Sequence, residues 1–132
     1  PTFAVSTGQN PHLTICPSFD FMADVLRKTL HKLLDEEAVA PERIVILSPY
    51  RHTNSQSTWA EGLKSVDLHT EMNIMVKGKI RIGTIQSFKG LESDVVILAG
   101  LTKQSITQGE LLYVATSRAK AALYIFSLSA LS

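Results

Sequence analysis

Apolar residues fall in short blocks along this 132-residue chain, and the spacing inside each block separates strands from helices. The stretch HLTICP (12–17) predicts a short buried strand ended by Pro17. Met22, Leu26, Leu30 and Leu33 then recur at helical spacing, with Asp24, Arg27, Lys28 and Lys32 between them. That is the pattern of an amphipathic helix reaching about Glu37, capped by Ser18 or Asp20 and followed by Pro41. RIVILSPY (43–50) holds Ile44, Val45, Ile46 and Leu47 without alternation. Continuous apolarity is expected of a strand covered on both faces, as in parallel sheets.

A polar loop, RHTNSQS, comes next, then a short helix around Trp59 to Leu63. Residues 65–79 show no clear period. KIRIGTI (79–85) alternates polar with apolar, as a strand does, and DVVILAG (94–100) is a second continuous apolar strand. GELLYVATSRAKA (109–121) predicts a helix and ALYIF (122–126) a last strand. Strands alternating with helices predict one α/β sandwich domain, residues 1–132, with a mainly parallel sheet. Ligands of such sheets bind at loops leaving the carboxyl ends of strands, and the loops after Leu47 and Thr84 are in that position.

Thirteen Lys and Arg against twelve Asp and Glu give a net charge of +1, so overall charge does not announce a nucleic-acid binder. Charge is uneven locally. From Met72 to Leu91 there is no acidic residue, while Lys77, Lys79, Arg81 and Lys89 all lie there. Such a stretch is either a solvated strand edge or a local polyanion surface. The lone Cys16 sits in an apolar run, excludes an internal disulfide and, with no signal peptide, is expected of a reducing, cytoplasmic compartment. No apolar run approaches the roughly 18 residues of a membrane span. His12, His31, His52 and His69 lack metal-ligand spacing, and no metal site is expected. Trp59 reads as core filler, with base stacking as the other role open to it. The chain begins at Pro1 without an initiator Met and is expected to be part of something longer.

Two stretches carry candidate chemistry. TIQSFKGLESDVVILAG (84–100) joins two apolar strands through a loop crowded with Gln86, Ser87, Lys89, Gly90 and Glu92. In LLYVATSRAK (111–120), Leu111, Val114 and Arg118 share one helical face, so an arginine lies in line with residues expected to be buried. A guanidinium away from water needs an anionic partner, either an internal carboxylate or a phosphate outside the domain.

Taken together and in this order, the two stretches resemble the last two motifs of UvrD/Rep-type superfamily-1 helicases. ERIVILSPYRHTNSQS resembles, more loosely, the strand and polar loop carrying that family's strand contacts. The resemblance covers about residues 42–126. It implies a RecA-like lobe, the second of two that clamp ATP between them. Arg118 matches the family's arginine finger, which stabilises charge in phosphoryl transfer. Glu92 matches the glutamate that hydrogen-bonds the ribose, and Gly90 lets the backbone approach the nucleotide. Thr84, Gln86 and Ser87 match positions touching the DNA strand, and Lys89 can supply a phosphate contact or hold the loop. Tyr50, Arg51 and Asn54 match residues along the strand groove.

The sequence also departs from the family. Gln86 stands where the family often has His, an upstream arginine motif is not found, and there is no G-x-x-x-x-G-K-[ST] and no Asp-Glu pair on a strand for Mg²⁺. The resemblance therefore implies a carboxyl-terminal lobe of a longer ATP-dependent DNA helicase. Its partners would be single-stranded DNA and an amino-terminal RecA-like lobe of the same chain. ATP and Mg²⁺ would be held mainly by that first lobe, and this part alone would bind neither and hydrolyse nothing. A nucleic-acid-binding or regulatory module that keeps the fold without the motor, and a small α/β enzyme unrelated to helicases, are the other readings of the same residues.

Overall fold

A computed structural model of the chain describes residues 12–49, 58–102 and 119–128. Six strands form one sheet among these residues: β1 (His12–Cys16), β2 (Ile44–Ser48), β3 (Leu68–His69), β4 (Ile80–Thr84), β5 (Ser93–Leu101) and β6 (Ala119–Leu128). Their spatial order is β1-β6-β5-β2-β4-β3, and every neighbouring pair is parallel. The continuous apolar runs are explained by this arrangement. All five residues of β2 are buried, because a parallel strand flanked by β4 and β5 is covered on both faces.

Successive residues of each central strand point to opposite faces. Ile44, Ile46, Ile80, Ile82, Val95 and Ile97 enter a first apolar cluster, while Val45, Leu47, Val96 and Leu98 enter a second. The first is closed by α1 (Phe19–His31), which contributes Met22, Leu26 and Leu30, and by a 3₁₀ helix, Thr58–Leu63, which contributes Trp59 and Leu63. Trp59 is thus a core residue, 1% exposed. Cys16 is also fully buried, and burial pushes its thiol pKa up.

The start of α1 follows from its sequence. Ser18 is extended (φ −153°, ψ 166°), and its hydroxyl accepts the Phe21 amide at 3.1 Å. That satisfies one of the amides a helix start leaves without a partner. Asp20 in the first turn and Lys28 and His31 in the last complement the helix dipole. Beyond His31 a π-type turn, Lys32–Glu36, buries Leu33, and Ala38 (φ 55°) ends it.

Three expectations are corrected. The stretch 12–17 is a strand but not a buried one. β1 lies at the sheet edge, only Cys16 is buried, and Leu13 and Ile15 are 53% and 43% exposed. Its apolar residues reflect strand-forming side chains rather than cover on two faces; His12 stacks on Tyr124 of β6 with ring centroids 4.5 Å apart. Residues 119–121 are strand rather than the end of a helix. Ala119 pairs with Ser93 and Ala122 with Val95, with an irregularity between. Sheet pairing there overrides the helix preference of Ala and Lys. The remainder of the expected helix, 109–118, lies outside the described residues. Finally, Arg81 is not part of a solvated edge: it is 4% exposed, whereas Lys77, Lys79 and Lys89 are exposed.

Leu26 and Leu13 make a direct contrast between core and edge. Leu26→Ala is expected to cost about 2–5 kcal/mol through the cavity it leaves, and Leu13→Ala less than about 0.5–1 kcal/mol. Denaturant midpoints of the two variants check this.

Candidate functional site

The residues singled out at 84–92 form the crossover from β4 to β5. These strands are parallel but not adjacent, because β2 lies between them. The chain must leave the carboxyl edge of β4 and re-enter the sheet at its amino edge. Eight residues, Ile85 to Glu92, do this, fewer than the dozen or so that such a connection usually takes. A tight helical path makes the short span workable. The amides of Phe88, Lys89 and Leu91 donate to the carbonyls of Ile85, Gln86 and Phe88 at 3.2, 3.2 and 3.0 Å. Each bond spans three residues, so side chains repeat every third position. Ile85 and Phe88 are buried, and Leu91 packs against the same second cluster. Gln86, Ser87, Lys89, Gly90 and Glu92 are left on the exposed side.

The entry to the crossover is tied down by local bonds. Ser48 and Thr84 are in register across β2 and β4, and the Ile85 amide donates to the Ser48 carbonyl at 3.0 Å. The Ser87 amide donates to Thr84 Oγ1 at 3.2 Å, and the Ser87 hydroxyl donates to the Thr84 carbonyl at 2.6 Å. The two hydroxyl residues therefore fix the turn, and any ligand contact they make is additional to that work. The exit is a type II turn. Lys89 has φ −59° and ψ 129°, Gly90 has φ 82°, and the Leu91 amide returns to the Phe88 carbonyl. That turn demands a positive φ at its third residue, which glycine supplies without strain. No neighbouring protein atom lies within 4 Å of where a Gly90 Cβ would be, so within the domain it is the turn that calls for glycine.

Beyond the turn, the start of β5 is pinned to the start of β2. The Ser93 hydroxyl donates to the Arg43 carbonyl at 2.8 Å, and Arg43 Nε meets Asp94 Oδ2 at 2.5 Å. Among the described residues no hydrogen bond or ion pair engages the side chains of Gln86, Lys89 or Glu92.

The candidates sort to two edges of the sheet. Thr84, Gln86 and Ser87 are at the carboxyl edge, beside the point where the chain leaves β2 at Ser48. Glu92 is at the amino edge, immediately before β5. Ala119, the residue after Arg118, pairs with Ser93, the residue after Glu92. Tyr50, Arg51, Asn54 and Arg118 themselves lie outside the described residues. No group of three or more His, Cys, Asp or Glu among the described residues could hold a metal ion. No helix among them is long and apolar enough to cross a membrane. A groove of about 700 Å³ beside α1, between Arg27, His31, Glu36 and Val66, includes none of the candidate residues.

Arg81 was not singled out by its sequence, yet it lies directly under the crossover. Its Nη1 donates to the Met72 carbonyl at 2.9 Å, and its guanidinium carbon lies 5.3 Å from the centroid of the Phe88 ring. Burial pushes its pKa below the ordinary arginine value. The available signal was the strand context. In a strand covered on both faces, the polar positions of an alternating run are buried too.

Comparison with known proteins agrees with this geometry. Residues 79–126 match the family model of the UvrD-like helicase C-terminal domain, a span that takes in β4, the crossover, β5 and most of β6. No curated protein matches the chain. A solved structure, the C-terminal domain of a possible DNA helicase from Lactobacillus plantarum WCFS1, superposes with a TM-score of 0.72 at 22% identity. The match covers 95% of this chain and 78% of that one. The resemblance drawn from the motifs is therefore borne out. The segment that carries them is UvrD-like helicase C-terminal in sequence, and the domain around it has the fold of a helicase C-terminal domain.

The type II turn is open to a simple check. Gly90→Ala should lower stability by about 1–2 kcal/mol, the cost of a left-handed conformation for an L-residue, and Gly90→Asn by less, since Asn tolerates that region better. Thermal unfolding of the two variants measures the difference.

Proposed function

We propose that this chain is the second motor lobe of an ATP-dependent superfamily-1 DNA helicase or translocase. The observation that carries the reading is the crossover at 85–92. It lies inside the family-matched segment, its apolar residues are core, and Gln86, Lys89 and Glu92 face outward with no partner among the described residues. Side chains of that kind on a tightly fixed backbone suit ligand contact, because little ordering remains to be done on binding.

The two sheet edges suggest a division of labour. At the carboxyl edge Thr84, Gln86 and Ser87, with Lys89, would track a single DNA strand, joined by Tyr50, Arg51 and Asn54 from the loop after β2. Contacts of this type are few and largely to phosphate, so binding would be strongly salt-dependent. At the amino edge the Glu92 carboxylate would accept hydrogen bonds from the ribose hydroxyls of ATP. Arg118 would reach the γ-phosphate. ATP with Mg²⁺ supplies the phosphoryl group to be transferred, and a fixed cation beside it stabilises charge that develops as the bond breaks. On this reading Glu92 and Arg118 would serve the ribose and the γ-phosphate only. This chain has no glycine-rich phosphate cradle, so the remaining contacts fall to an amino-terminal RecA-like lobe.

Variants of the full-length protein separate these roles. Arg118→Ala is expected to leave ATP binding largely intact and to cut hydrolysis about a thousandfold or more, since an arginine finger acts on the transition state. Glu92→Ala should weaken ATP binding about ten- to a hundredfold through loss of a charge-assisted hydrogen bond. Gln86→Ala and Ser87→Ala should spare basal hydrolysis and reduce its stimulation by single-stranded DNA. ATP affinity, basal rate and DNA-stimulated rate decide the matter. If the four variants change only folding stability, the loop is structural, and a regulatory module without motor activity becomes the better reading.

A further inference from the structure

Arg81 is an expensive residue for its position. It is 4% exposed, and no carboxylate pairs with it among the described residues. Its Nε is buried without a hydrogen-bond partner among the described residues. His69 is its register partner on β3, and the Nε2 of His69 is buried with no hydrogen-bond partner among the described residues either. A buried charge held by one carbonyl and one aromatic ring does not stabilise a fold as well as an apolar side chain of the same size. Stability therefore gives no reason for an arginine here, and the contacts it does make point elsewhere.

Those contacts converge on one end of the crossover. The guanidinium lies against the Phe88 ring, and Phe88 sits between Ser87 and Lys89 as the buried anchor of the turn. Arg81 also fixes the Met72 carbonyl. The Met72 side chain in turn closes over Gly83: a Cβ at Gly83 would lie 3.1 Å from Met72 Sδ and 2.7 Å from Ser87 Oγ. One side chain thus meets the Phe88 ring, next to Ser87 in the chain, and the Met72 backbone, whose side chain closes the same Gly83 site that Ser87 Oγ approaches. The guanidinium is planar and carries several fixed donors, so it can face the ring and still direct one donor at the carbonyl.

We propose, resting on the helicase reading above, that Arg81 is a positioning residue that holds the Gln86–Lys89 end of the crossover in the geometry that binds single-stranded DNA. It is buried beneath the loop and touches no ligand. Its effect passes through Phe88 and Met72.

The test uses the full-length protein with Arg81→Met, Phe88→Leu and the double variant, and a fluorescent oligothymidylate as probe. Arg81→Met should melt at the same temperature or higher. It should bind the oligonucleotide about tenfold more weakly, with the double variant no weaker than the weaker single one, because both changes remove the same contact. The dependence of affinity on salt should keep its slope, since no phosphate contact is lost.

Equal binding by the unmodified protein and Arg81→Met overturns the positioning role and leaves the helicase reading standing. A slope reduced by about one overturns it in favour of a direct phosphate contact. A lowered melting temperature with binding lost only in proportion to unfolding makes Arg81 a structural residue, and additive losses in the double variant remove the link to Phe88. An unmodified protein that does not bind the oligonucleotide overturns the helicase reading, and this inference with it.

Discussion

Everything at the candidate site depends on one topological constraint: β4 and β5 are parallel and β2 lies between them. The connecting chain has to start at one edge of the sheet and finish at the other. With only the residues from Ile85 to Glu92 available, it has little freedom. It must run close to the second face and still keep its polar groups in water. A three-residue repeat meets both demands, placing Ile85, Phe88 and Leu91 against the sheet and the intervening polar residues outward. One short segment thereby presents chemistry at two edges, its beginning beside the end of β2 and its end beside the pair Ser93 and Ala119. On the proposed reading, one end of this segment would meet a DNA strand and the other a nucleotide.

How far this was legible in the sequence depends on how local each determinant is. The spacing of Met22, Leu26, Leu30 and Leu33 marked α1, and the unbroken apolar runs at 44–47 and 95–98 marked strands buried on both faces. Those patterns are written within a few residues. The exposure of Leu13 and Ile15 was not legible, because it follows from β1 being last in the strand order, which no local pattern states. The start of β6 was hidden for a similar reason: Ala119 to Ala121 favour a helix until β5 is beside them. β3, two residues long, has too little pattern of its own to be seen.

The family was legible as a pair of motifs in the right order, and the chemistry expected of the candidate residues was read by resemblance to that family rather than from spacing alone. The geometry adds what the motifs do not carry. Thr84 and Ser87 bond to each other's backbone, and Gly90 completes a type II turn. Both features come from the crossover's shape. In the sequence Arg81 was grouped with Lys77, Lys79 and Lys89 as one cation of an acid-free stretch, either a solvated edge or a local polyanion surface. Only the two-sided cover of β4 distinguishes it from them. Under the proposal above, that buried charge serves the shape of the loop over it.

That one loop serves two ligands from its two ends can be tested by residue-resolved hydrogen exchange of the full-length protein. It would be followed with single-stranded DNA alone and with a non-hydrolysable ATP analogue alone. DNA is expected to slow exchange at Gln86 and Ser87 and leave Glu92 and Ser93 unchanged, and the nucleotide to do the reverse. Protection of the whole segment by either ligand, or by neither, would contradict the division between the two edges.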